Sequence, residues 1–149
     1  MQLRVVLSFL VALVCLTAAP SAQFAPVPGG GCPGGSVITT QGTPSLTQQI
    51  TYTWFCSARS DVPFMGFGPA IPPLFPFPSP PGCASGCMLL HPSPPIFLVG
   101  TAGRGLVVPI QIPPNPSLIG QTIHNQGMCL TQSQNCIYLG GVLATTIQP

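Results

Sequence analysis

Hydrophobic and polar positions alternate most clearly in two stretches of this 149-residue chain. In residues 49–57, Ile50, Tyr52, Trp54 and Cys56 fall on one face of an extended backbone, and Thr51, Thr53 and Ser57 fall on the other. Residues 106–112 repeat the pattern with Leu106, Val108, Ile110 and Ile112. A period of two filled with β-branched and aromatic side chains predicts half-buried strands. Trp54 reads as a core anchor. Pro113, Pro114 and Pro116 stop the second strand, because proline gives no N–H to a ladder. Asn115 followed by Pro116 suits the N-cap and first position of a short helical turn over 116–119, which Gly120 can close with a positive φ.

Residues 103–126 therefore form a strand, a turn and the start of a second strand, onto which the rest of the chain packs. Further strands are predicted at 37–40, 64–67, 96–99, 121–130 and 137–147, the last bent or bulged at Gly140 and Gly141. Residues 83–91 read as a turn leading into another strand. Turns are expected at 42–44, at 58–63 with Arg59 and Asp61 as a local pair, and at 131–135. No segment keeps a helical period over the 11 or so residues needed. The fold class predicted is all-β: a disulfide-stabilised antiparallel β-sandwich, Ig-like or jelly-roll-like, with almost no helix. One domain is expected over 36–149, preceded by a Pro/Gly-rich lead-in at 23–35 that is pinned at Cys32.

The first 22 residues read differently. A single positive charge at Arg4 precedes an apolar run of about 12 residues, short of the roughly 20 that a spanning helix needs. A small, proline-containing stretch follows. That order predicts a secretory signal peptide, cut after Ala22 or, alternatively, after Ser21. Cys15 follows Val14, where a lipoprotein signal would carry a small residue.

Charge is almost missing. Past residue 22 only Arg59, Asp61 and Arg104 are charged, and the whole sequence has no Lys and no Glu. Two arginines do not make the basic face that displaces phosphate counterions, so no nucleic-acid partner is expected. One carboxylate cannot run a paired-carboxylate mechanism. A composition that is 46% hydrophobic argues against disorder. Six cysteines follow residue 22: Cys32, Cys56, Cys83, Cys87, Cys129 and Cys136. An even number in a small exported chain predicts a disulfide framework and leaves the connectivity open.

Candidate chemistry is thin. His91 and His124 are the only imidazoles. With Asp61 and a serine they make a relay on paper, but no Gly-x-Ser-x-Gly elbow supports it. Cys83-x3-Cys87 and Cys129-x6-Cys136 superficially resemble zinc ligand pairs, whereas export favours disulfides. A redox pair needs C-x-x-C, which is missing. Asn115 is followed by proline and is not a glycosylation acceptor. No cofactor, metal or catalytic residue is assigned, and the chain is read as not an enzyme.

Residues 68–82 are the anomaly, with seven prolines in the thirteen positions 69–81. That density enforces extension and forbids helix and central strand. Either the loop folds back over the sheet with its apolar side chains partly covered, or it is an arm offering Phe75 and Phe77 as a contact surface.

Several motifs appear in a set order: G-C-P-G-G at 31–35, G-C-M-L-L-H-P-S at 86–93, P-I-Q-I-P-P-N-P-S-L-I-G-Q-T-I-H-N-Q at 109–126, and A-T-T-I-Q-P at 144–149. Together they resemble an uncharacterised family of secreted domains abundant in planctomycetes and some related bacteria. The resemblance covers roughly 31–149 and implies an all-β extracellular module of no assigned activity. It also implies that Cys32 pairs with Cys87 and Cys129 with Cys136, leaving Cys56 to Cys83. The chain departs from the family pattern in its Pro-rich 68–82 segment and its extra cysteines.

The function expected is a secreted, non-catalytic structural or adhesive module of the cell surface or extracellular matrix. Its partners would be itself or other matrix components, with no membrane span after signal cleavage. Edge strands are normally guarded by charge, and this chain has almost none to use. The alternative is a binding module for glycan or another neutral ligand, with Tyr52, Trp54, Tyr138 and the phenylalanines as candidate platforms.

Overall fold

A computed structural model describes residues 23–36, 38–58, 60–69, 75–78, 81, 83, 85–89, 96–131 and 136–149. The expected signal segment, Arg59, His91 and the 131–135 turn beyond Thr131 lie outside these residues. Ten strands are described: β1 (Phe24–Val27), β2 (Thr39–Gly42), β3 (Gln49–Trp54), β4 (Val62–Pro69), β5 (Phe75–Pro76), β6 (Met88–Leu89), β7 (Ile96–Val99), β8 (Leu106–Gln111), β9 (Thr122–Thr131) and β10 (Cys136–Thr146). They form an antiparallel five-stranded sheet in the order β1-β10-β9-β4-β7 and a three-stranded sheet in the order β2-β3-β8. A two-stranded ribbon, β5-β6, is a member of neither sheet.

The alternation seen in the sequence faces the two sheets toward each other. Ile50, Tyr52 and Trp54 of β3 are buried, and Leu106, Val108 and Ile110 of β8 pack beside them. Opposite lie Met65 and Phe67 of β4, Cys129 of β9 and Leu143 of β10, in one continuous core. The Tyr52 ring meets Phe67 edge-on, with centroids 5.4 Å apart. The Tyr52 hydroxyl bonds to Thr145 Oγ1 at 3.0 Å, tying the sheets through a buried polar contact. The fold is therefore all-β, with sandwiched sheets.

A smaller core covers the outer face of the five-stranded sheet. Cys32, Cys87, Met128 and Leu139 are buried in it, with Phe64, Phe77, Leu89 and Ile137 partly buried around them. The β5-β6 ribbon thus tethers part of the Pro-rich segment. Phe77 donates its N–H to the Cys87 carbonyl and packs inward. The backbone of Phe75 pairs with Leu89.

The short helix forms over Pro116–Leu118, within the stretch expected. Asn115 Oδ1 accepts from the Ser117 N–H at 3.0 Å, and Gly120 takes φ +80°. β10 slips register between Leu139 and Val142, so Gly140 and Gly141 form the predicted bulge.

Two expectations are corrected. Residues 24–27 are not a lead-in outside the domain: they are strand β1, paired with Thr145 to Val142 of β10. Pro26 is tolerated because β1 is an edge strand. The cysteines pair as Cys32–Cys87, Cys56–Cys129 and Cys83–Cys136. The first agrees with the family resemblance, but the Cys129–Cys136 and Cys56–Cys83 pairs do not form. The β9–β10 register sets Cys136 across from Thr131 and Cys129 across from Tyr138, so the two cysteines are not cross-strand partners. Cys129 belongs to the core between the sheets, where Cys56 reaches it just beyond β3 with a Cα separation of 5.7 Å.

Candidate functional site

At one end of the sandwich β3 runs out before β9 and β10 do, and a hollow of about 230 Å³ opens there. The 32–36 loop forms one wall, docked on the bulge through Gly141 N–H to Ser36 O at 2.8 Å and Cys32 N–H to Leu139 O at 2.8 Å. The end of β3 and the residues after it form the other wall, with Trp54, Phe55 and Ser57. Cys129 of the inter-sheet disulfide and Tyr138 of β10 also line the hollow.

Trp54 is locked. Its indole N–H donates to the Met128 carbonyl at 3.0 Å. Glycine at 127 and 140 leaves room for its ring: a Cβ on either would come within 2.2 Å and 2.3 Å of indole carbons. Tyr52 is buried as well, so neither of these aromatics offers a free face. Burial raises the Tyr52 phenol above its usual value, against the smaller lowering effect of its bond to Thr145.

The exposed aromatics are others. Phe55 is 63% exposed and Tyr138 40% exposed, both at this hollow. A second, smaller hollow of about 70 Å³ lies against Phe55 and is lined by Arg104, with Gly105 pressed on the ring. Asp61, buried to 3% exposure, lines both hollows. In the sequence Phe55 breaks the polar face set by Thr51, Thr53 and Ser57. An aromatic on the solvent side of an alternating strand was the signal that would have singled it out.

The paper relay does not assemble around His124. Asp61 directly precedes Val62, which pairs with Leu130, whereas His124 sits six residues back along β9, roughly 20 Å away at strand rise. Burial lowers the His124 imidazole below its usual value. The six cysteines among the described residues are held in disulfides, and among those residues no three His, Cys, Asp or Glu side chains cluster as a metal set. Three disulfides suit a chain that folds in an oxidising, extracellular-type environment, and no helix among the described residues is long and apolar enough to cross a membrane.

Among the described strands β7 lies at the far edge of the five-stranded sheet, hydrogen-bonded to β4. Its Ile96, Phe97 and Val99 are 55%, 46% and 60% exposed. Comparison with known proteins finds no matching family model, no matching curated protein and no matching solved structure.

Proposed function

We propose that the protein is an exported, non-catalytic structural or adhesive module of the cell surface or matrix, and that it associates with itself. One observation carries the reading: the outermost strand β7 exposes Ile96, Phe97 and Val99 and bears no charge. Natural edge strands are guarded by shortness, charge, Pro or bulges. β7 is four residues long after Pro94 and Pro95 but carries no charge and keeps apolar side chains exposed. An exposed apolar edge is a template for strand addition. The occupant favoured is a second copy of this chain. With a formal net charge of +2 over 149 residues, two copies repel each other little. Antiparallel pairing of β7 with its counterpart joins two five-stranded sheets and covers Phe97 and Val99 on both sides. The leader-like residues 1–22, the three disulfides and the resemblance to secreted all-β domains support the extracellular setting.

Light scattering on the oxidised, leader-free chain, eluted from a sizing column over a wide concentration range, tests this. Dimers or larger assemblies are expected, reverting to monomer in Val99→Lys. A monomer at every concentration and ionic strength overturns the reading.

A further inference from the structure

We infer that the hollow between Phe55 and Tyr138 is a binding site for a neutral pyranose sugar. Phe55 and Tyr138 are 63% and 40% exposed and stand together beside a concave surface. An apolar ring face suits the C–H face of a pyranose, which is flat, weakly polarised and complementary to the negative face of an aromatic ring. The polar groups match the rest of a sugar. Ser36, Ser57 and Asp61 line the same hollow, and a carboxylate accepts hydrogen bonds from hydroxyls at up to four lone-pair positions.

Charge decides against other ligands. Asp61 is the single carboxylate side chain in the sequence, and Arg104 lines the hollow on the other side of Phe55. With Arg59 two residues before Asp61 in the sequence, charges of both signs stand at this end, and no single-sign field singles out an anion or a cation. The volume of about 230 Å³ falls below the ~300–1,000 Å³ typical of drug-sized sites, which fits one sugar ring seated at the mouth, and not a long chain. The framework is preorganised: the Cys56–Cys129 disulfide and the docked 32–36 loop fix both walls. This site lies apart from β7, so it stands or falls independently of self-association.

Trp54 is the only tryptophan and lines the hollow, which makes its emission a direct reporter. The oxidised chain is titrated with the methyl pyranosides of glucose, galactose, mannose and N-acetylglucosamine, following Trp54 emission and the heat of binding. Saturable millimolar binding of at least one is expected. Phe55→Ala and Tyr138→Ala should each weaken it about tenfold, with melting temperature little changed because neither side chain belongs to the buried core. Asp61→Asn, which keeps the shape, should weaken it as well. No saturable response to any of the sugars overturns the proposal. So does binding that the Phe55 and Tyr138 variants leave intact, or a response to choline that exceeds the response to every sugar.

Discussion

Trp54 on the three-stranded sheet donates its indole N–H to the carbonyl of Met128 on the five-stranded sheet, 3.0 Å away. One side chain thereby packs the core, joins the two layers and lines the end hollow. The bond is buried, so it is worth more than an exposed one, and losing it leaves a desolvated group behind. The ring reaches this position only because residues 127 and 140 have no side chain.

Gly127→Ala is accordingly expected to lower stability by about 1–3 kcal/mol, since its Cβ would stand 2.2 Å from the indole and force repacking. The measurement is chemical denaturation followed by Trp54 emission. A midpoint equal to that of the parent chain would show that the ring is not confined there.

The Cys56–Cys129 bridge spans 73 residues and ties one sheet to the other. In the chain-entropy view, closing a loop of that length contributes about 4 kcal/mol. The double variant Cys56→Ser with Cys129→Ser should lose most of that and melt well below the parent. Peptide mapping of the unreduced protein should recover the 32–87, 56–129 and 83–136 pairs. Recovery of a 129–136 pair would contradict the register of β9 and β10.

Two neighbouring amides on β9 should respond differently to the same substitution. Asn125 is fully buried, and its amide N and O have no partner among the described residues. Gln126 is also buried, and its amide N donates to the carbonyls of Met88 and Gly140 at 2.9 and 3.0 Å. Asn125→Leu should be neutral or stabilising, while Gln126→Leu should cost about 1–3 kcal/mol by orphaning its partners. Melting temperatures of the two variants decide it.

Burial holds the His124 imidazole below its ordinary value, so the unfolded chain binds its proton at higher pH than the folded chain does. The unfolded state then carries more protons through the window, and stability rises with pH there. The contribution is complete above about pH 6.5, the unperturbed histidine value. It declines as pH falls from there through the lower folded value. His124→Gln should flatten this part of the melting-temperature profile between neutral and mildly acidic pH. A slope that persists in the variant would assign it to another group.

Local geometry was legible in the residues alone. Alternation in 50–56 and 106–112 states which side chains face inward. Asn115 and Pro116 state where a helical turn begins, and Gly140 with Gly141 state where the last strand bends. These depend on backbone sterics and periodicity over a few residues, which short stretches carry whole. Tertiary structure alone decided that residues 24–27 complete a sheet edge, because Pro/Gly-rich sequence acquires strand character only from the neighbour that β10 supplies. It also decided the cysteine partners. Pairing depends on which strand ends meet after the sheets stack, a long-range register on which sequence spacing is silent. The exposure of Phe55 and Tyr138 has the same origin: each lies on an ordinary strand or strand end, and only the unequal reach of the two sheets leaves both rings beside an open hollow.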